Sequence, residues 1–242
     1  MKPIKSIRRR NLPHWDVNGA PYFVTTCLEG SIPARGQLDI AGYRTALEKQ
    51  PRPQGVSELE WKVRRWKLVF ARMDQWLDNE SAARHLADPS VANEVVQAFF
   101  HFAGERYDLL AFVVMPSHIH WIFQPLEKWV ASLGASVSER SARERIVHSI
   151  NRHTGLTCNQ LLKATGSFWQ HESYDHWVRD ADELERIILY VENNPVKAGL
   201  VASPSAWLFS SAKAREMLGL EFGEPFPAGW KPAPRWSRFP TG

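Results

Sequence analysis

Two apolar runs, Leu109 to Met115 and Ser117 to Gln124, are separated by a single proline, Pro116. Both are rich in β-branched and aromatic residues, so they read as a pair of strands broken at that proline. The segments on either side extend the pattern. Pro21-Tyr22-Phe23-Val24-Thr25-Thr26-Cys27 reads as a strand that ends at Gly30. Asp88-Pro89 fits a helix N-cap followed by proline in the first turn, and Val91, Val95, Val96, Phe99 and Phe102 supply an apolar face until Gly104. A second long helix is predicted over about Ser138 to Gly155, and a short strand over Ser173 to Val178 follows Gly166.

Strand, helix, strand, strand, helix, strand is the split βαβ order of ferredoxin-like folds. The expected class is therefore α+β, an antiparallel sheet with its crossover helices on one face. A further helix opens in Asp180-Ala181-Asp182-Glu183, acidic as a first turn should be, and places Leu184, Ile187, Ile188 and Val191 on one stripe. Pro195 is expected to end it. Residues 1–242 then form a single domain with a core of about 20–30 and 88–201, an insertion of about 31–87 broken by Pro33, Pro51 and Pro53, and an irregular proline-rich tail of about 202–242.

Charge constrains partners only weakly. Thirty Lys and Arg against 26 Asp and Glu leave a net charge of +4, compatible with an anionic partner without requiring one. The start of the chain is more pointed, with Lys2, Lys5, Arg8, Arg9 and Arg10 basic and no acid among the first ten residues. It reads either as an arm that tracks a phosphate backbone or as a solvated terminus. No secretory signal follows it and no run has the length of a membrane span. Cys27 and Cys158 are too few for a disulfide framework, so a reducing, cytoplasmic compartment is expected. In the insertion, Trp61, Arg64, Arg65, Lys67 and Arg72 interleave with Trp66, Phe70 and Trp76. That mixture suits a surface for single-stranded nucleic acid, and it suits an amphipathic helix with a solvated basic side equally well.

The sharpest local feature is His118-Ile119-His120. Side chains alternate along a strand, so the two imidazoles share one face while Ile119, Trp121 and Phe123 share the other. Two imidazoles side by side make a two-point metal site, or else two polar residues on a solvated face. On the last helix, Tyr190 lies at the margin of the apolar stripe, its hydroxyl expected to emerge, with Asn194 one turn on along the same edge. A phenol and an amide on one edge can meet a strand-borne His pair at a single cation. Taken alone, each of these residues reads more readily as a structural one.

The run Val113-Val114-Met115-Pro116 before His118-Ile119-His120, followed later by Tyr190-Val191-Glu192-Asn193-Asn194-Pro195-Val196-Lys197-Ala198-Gly199-Leu200-Val201, resembles the REP-associated tyrosine transposases. Arg9 to Trp15, Arg106-Tyr107, Phe168-Trp169-Gln170, Trp207 and Ser210-Ser211 are similar as well, in the same order. The likeness covers most of the chain and is weakest over residues 31–90 and 225–242. It implies an HUH-type single-strand DNA transposase, a metal-dependent enzyme that nicks DNA and transfers the strand through a 5′-phosphotyrosine. Under it, Tyr190 is the nucleophile, His118 and His120 are metal ligands and Asn194 is the third ligand. The implied ion is Mg²⁺ or Mn²⁺, and the implied partner is single-stranded DNA folded into a REP-like hairpin. Arg8, Arg9, Arg10, Arg64, Arg65 and Lys197 are the candidate DNA contacts. Monomer and homodimer are both open. One departure stands out, because many relatives carry a lysine in the second long helix where this chain has Asn151. That motivates the alternative of a non-cleaving nucleic-acid-binding protein on the same fold. A metal-dependent hydrolase with Tyr190 purely structural is the other.

Overall fold

The computed structural model describes residues 4–9, 13–17, 19–134, 140–171 and 173–230, with the backbone alone for 4–9 and 13–16. In chain order the strands are β1 (Ile4–Arg9), β2 (Pro13–Val17), β3 (Tyr22–Cys27), β4 (Tyr107–Val114), β5 (His118–Pro125) and β6 (Tyr174–Trp177). The α-helices are α1 (Ala34–Lys49), α2 (Glu58–Glu80), α3 (Pro89–His101), α4 (Glu127–Ser132), α5 (Ala142–Leu162), α6 (Ala181–Lys197) and α7 (Ser211–Leu218).

The central sheet has the order β4-β5-β3-β6, with every neighbouring pair antiparallel. Counting only these four in chain order, the arrangement is second, third, first, fourth, which is the ferredoxin-like sheet predicted from the element order. The chain is an α+β domain. The turn at Pro116 is tight, with the Met115 N–H donating to the His118 carbonyl at 2.9 Å.

Helices α3 and α5 cover one face. Asp88 caps α3 by accepting from the Ser90 N–H at 2.8 Å, with Pro89 in the first turn. A capping box of Ser141 and Glu144 starts α5. That helix runs on through Gly155 to Leu162, one turn and more beyond the predicted end, and closes on Lys163 in the left-handed region at φ 52°. Between these helices and the sheet lies the main core. Trp121 stacks on Phe99 at 4.9 Å and on Phe123 at 4.3 Å, and Ile119 is fully buried beside them. Burying each such side chain contributes roughly 1.5–3 kcal/mol, so this face fixes the register of β5.

The opposite face is not solvated. Helix α6 lays Ile188 and Val191 against Phe23, Ala111, Val113, Met115 and Ile122, and α2 adds Phe70 and Met73. Residues 31–87, left structurally open by the sequence, form the α1–α2 helical hairpin. Ile40, Leu47, Val69 and Leu77 pack with Cys27 and Ile32 as a separate small core. Trp61 is buried, and Trp76 packs against Gly36 while donating its indole N–H to Asp39 at 2.8 Å. The amphipathic-helix reading of these tryptophans therefore holds.

Two boundaries differ from expectation. Pro195 does not end α6, which continues to Lys197. Pro195 cannot give the N–H that the Val191 carbonyl would accept, yet the helix still closes one turn on, with the Ala198 N–H donating to the Asn194 carbonyl at 2.9 Å. The tail is not wholly irregular, because α7 forms and is capped by Ser210. The strand edge of β4 is covered by this segment, with Val114 N–H donating to the Phe209 carbonyl at 2.9 Å and the Trp207 indole to the Val114 carbonyl at 3.0 Å. The basic start of the chain is paired, β1 with β2. Arg8 and Arg9 lie on that hairpin, and Arg10 lies outside the described residues.

Candidate active site

Strand β5 presents His118 and His120 toward the α6/α2 side. Each imidazole is fixed through Nδ1 by a neighbouring hydroxyl, His118 by Ser117 at 2.9 Å and His120 by Thr25 of β3 at 2.7 Å. The Ser117 hydroxyl donates to the Leu77 carbonyl at 3.3 Å, so it accepts from His118 Nδ1–H and leaves the Nε2 lone pair facing the site. This is how protein groups orient metal-binding histidines. The two Nε2 atoms converge to 3.0 Å. Both residues are almost fully buried, at 1% and 0% exposure, which removes the solvated-face reading. Burial first, then the neighbouring His120 charge, pushes the His118 pKa well below the ordinary value of 6.5. His118 is therefore a neutral imidazole at pH 7, the form that binds metal.

Asp74 of α2 completes a cluster that sequence reasoning missed. Its Oδ1 lies 3.4 Å from His120 Nε2 without a hydrogen-bonding geometry, and one ligand atom each from Asp74, His118 and His120 lie within 4.8 Å of one another. Burial alone would raise the Asp74 pKa, but the His120 imidazole beside it, together with His118 and Lys197, holds it well below the usual carboxylate value. A signal was present in the sequence. Phe70, Met73 and Leu77 form an apolar stripe on α2, and Asp74 occupies the i+4 position within it. A carboxylate on a buried stripe needs a partner.

Helix α6 contributes the other side of the site. Tyr190, Asn194 and Lys197 stand at i, i+4 and i+7, along one edge. The Tyr190 ring lies 5.5 Å from the His120 ring and 5.9 Å, edge to face, from Phe23. Its hydroxyl does not emerge, contrary to expectation. It is buried and makes no hydrogen bond, because α2 places Phe70 and Asp74 over it. Burial first, then the Asp74 charge, drives its pKa far above the ordinary 10. Lys197 sits 5.6 Å over the same ring and binds Asp74 Oδ2 at 2.6 Å and Asp78 Oδ2 at 3.1 Å. Asn194 is wholly buried, and neither its Oδ1 nor its Nδ2 has a partner.

Five buried polar atoms thus lack partners here: Asp74 Oδ1, Asp78 Oδ1, Tyr190 Oη, and both amide atoms of Asn194. Native interiors satisfy such groups almost without exception, so a local set of orphans marks a place built for something else. Two imidazole nitrogens and a carboxylate oxygen form a donor set that fits a divalent cation.

The chain is similar to a REP-associated tyrosine transposase. That relative, from Haemophilus influenzae, is 27% identical over 111 residues, which make up 43% of this chain and 58% of that protein. The chain therefore spans less than two thirds of the transposase's length. A solved structure of a REP-associated tyrosine transposase bound to a REP hairpin matches with a TM-score of 0.46 and 18% identity, covering 94% of this chain and 92% of that one. No protein-family model matches.

Among the expected contacts whose side chains are described, Lys197 is the one brought to the His pair. Arg64 and Arg65 lie on α2 about 15 Å along the helix from Asp74, by the rise of 1.5 Å per residue. Arg65 is spent over the Trp61 ring at 5.8 Å, and Arg64 is exposed. Asn151 sits on α5, on the other side of the sheet from α6.

Proposed function

We propose that the chain is a metal-dependent single-strand DNA endonuclease and transposase, with Tyr190 as nucleophile and with His118, His120 and Asp74 holding the ion. The observation that carries this reading is the convergence of two anchored Nε2 atoms, a carboxylate and an unpartnered phenol in one buried pocket. Asn194, one turn from Tyr190 with both amide atoms unpaired, is the fourth candidate ligand. Two nitrogens and a carboxylate suit Mn²⁺ better than Mg²⁺, which prefers an all-oxygen shell. A bound divalent ion would polarise the scissile phosphate and offset charge in the transition state.

The residues themselves do the rest. Tyr190 attacks phosphorus, the 3′-oxygen leaves, and the phosphodiester energy is kept in a 5′-phosphotyrosine that a 3′-hydroxyl can reseal. Lys197, held beside the ring by Asp74 and Asp78, is placed to assist loss of the phenolic proton electrostatically once a ligand draws Asp74 away. Because the phenol and both imidazoles are closed off, α2 must shift before a phosphate can reach them. The substrate class is a hairpin-forming single strand, the kind implied by the resemblance.

The test uses the full chain with 5′- or 3′-labelled hairpin DNA and Mn²⁺. A denaturation-resistant adduct is expected with the 3′-labelled strand only, while the 5′-labelled fragment is released with a free 3′-hydroxyl. Cleavage without an adduct points to an activated-water hydrolase, and binding without cleavage points to a non-cleaving DNA-binding protein. His118→Ala is expected to weaken Mn²⁺ binding at least about a hundredfold, since loss of mere supporting partners of metal ligands already costs 10–100-fold. Isothermal titration calorimetry reads this directly, and an unchanged affinity counts against the site.

A further inference from the structure

A cleft of about 420 Å³ opens along α5, against the segment carrying Phe168, Trp169 and His171. It belongs to the helix layer on the far side of the sheet from Tyr190. Its charge is distinctive. Residues 140–163 carry Arg140, Arg143, Arg145, Arg152 and Lys163 against one acid, Glu144, a net of four positive charges that equals the net charge of the whole chain. Helix α2, with five basic and five acidic residues between Glu58 and Glu80, has none to spare.

The cations are spaced along the cleft rather than clustered. His148 and Arg152 line it from one stripe of α5, four residues apart, and Arg140 lines it from just ahead of the Ser141 cap; all three are exposed. From the Ser141 cap to Arg152 the rise is about 17 Å, the axial length of roughly five nucleotide steps at 3.4 Å each. His171 faces them from the other wall. Arg143 lies deeper and is held by Asp175 of β6 at 3.3 Å, so it fixes the wall to the sheet. Glu144, the acid on the stripe, spends its carboxylate on the Ser141 N–H in the capping box.

The floor decides what kind of ligand fits. Trp169 gives its indole N–H to Thr154 at 2.8 Å, and it and Phe168 are 7% and 6% exposed, so neither offers a face for base stacking. Leu156 is the one large exposed apolar side chain in the lining, too little for an amphipathic helix or an apolar peptide. Spaced cations and no stacking platform describe contacts to phosphates rather than to bases.

We propose that this cleft holds the sugar–phosphate backbone of one nucleic-acid strand, docked along α5 from Arg140 to Arg152. This rests on the reading of the chain as a DNA-processing protein, and it moves the main docking surface from Arg64 and Arg65 of α2 to the opposite face of the molecule. Contacts of this kind are sequence-tolerant and salt-dependent.

Fluorescence anisotropy with a labelled DNA hairpin, titrated from 50 to about 300 mM salt, tests it. Arg152→Glu is expected to raise Kd about tenfold, and Arg152→Ala is expected to lower the slope of log K against log salt by about 0.9 on a duplex stem, one phosphate contact. His148→Ala gives a smaller loss at pH 6 than Arg152→Ala. Lys213→Glu, the same charge change on α7 by the opposite sheet edge, should leave Kd within about twofold. Circular dichroism checks that each exposed-site variant folds. Variants of Arg140 and Arg152 that bind like the unaltered chain overturn the cleft while leaving the proposed chemistry standing. An unaltered chain that binds no DNA overturns both. Competition by polyglutamate as effective as DNA of equal charge overturns the assignment to nucleic acid.

Discussion

Tyr190→Phe is expected to abolish the covalent DNA adduct, a loss of at least about a thousandfold, and to leave the fold no less stable. The first half follows from chemistry, since phenylalanine has no nucleophile and removal of a covalent nucleophile is among the most damaging changes an active site can suffer. The second half follows from packing. The Tyr190 hydroxyl is buried without a hydrogen bond, so deleting it relieves an unsatisfied polar group rather than breaking an interaction. The ring contacts to Phe23, Phe70 and His120 remain available to phenylalanine. An unchanged or raised melting temperature together with a vanished adduct would separate a functional hydroxyl from a structural one. An adduct that persists in Tyr190→Phe would move the nucleophile elsewhere. Tyr174 is a poor substitute, because it is stacked on Phe70 at 4.2 Å, and burial pushes its pKa well above the ordinary 10.

What the sequence made legible follows from the range of the forces involved. The sheet order was readable because strand alternation and the Pro116 break are local, and because few topologies satisfy strand, helix, strand, strand, helix, strand. That Ile119, Trp121 and Phe123 face the helices follows from the same alternation, and α3 and α5 confirm it. Asp74 was not legible from the motifs. It reaches the His pair only because the α1–α2 hairpin folds across the sheet, a long-range packing event held by Ile40, Leu47, Val69 and Leu77. The burial of the Tyr190 hydroxyl has the same cause. Helical periodicity placed the ring on the correct edge of α6 but is silent on what another helix lays over it. Pro195 misled for a different reason. The bias against a helical residue before proline is a tendency, and here packing of Ile188 and Val191 on the sheet carries α6 two residues past Pro195 at the loss of one backbone bond. The cleft along α5 was hidden because its other wall, carrying Phe168, Trp169 and His171, is brought against His148 and Arg152 only by long-range packing.

Glu183 is where the largest loss of stability is expected. It lies in the first turn of α6 with its side chain 4% exposed, and it gathers four partners from three directions. Lys67 of α2 donates at 2.7 Å, His176 of β6 lies at 3.1 Å, and Arg179 contributes its backbone N–H at 3.0 Å and its guanidinium at 2.9 and 3.0 Å. Asp180, which caps the helix on the Glu183 N–H at 2.7 Å, is the other acid nearby. This carboxylate joins the hairpin that covers the site, the edge strand and the start of the helix that carries Tyr190. Burial by itself would raise its pKa, but the hydrogen bonds from His176, Arg179 and Lys67 hold it far below the ordinary 4.5. A group whose folded pKa is depressed contributes stability that is complete above its unfolded pKa and is eroded as the pH falls from there toward the folded value. Glu183→Ala removes the acceptor of the buried His176 ring and of the half-exposed Lys67 and Arg179 cations, and is expected to cost about 2 kcal/mol at pH 7, within the range for leaving a buried polar group unsatisfied. Urea midpoints at pH 7 and pH 3.5 measure both effects. The gap between the unaltered chain and Glu183→Ala should be widest at pH 7 and should narrow steadily below about pH 4.5, as protonation of the unfolded chain's glutamate offsets the advantage of the ionised folded form. A gap that is constant from pH 7 to pH 3.5 would mean that Glu183 acts through packing alone and that its charge does not tie α2 and β6 to the tyrosine helix.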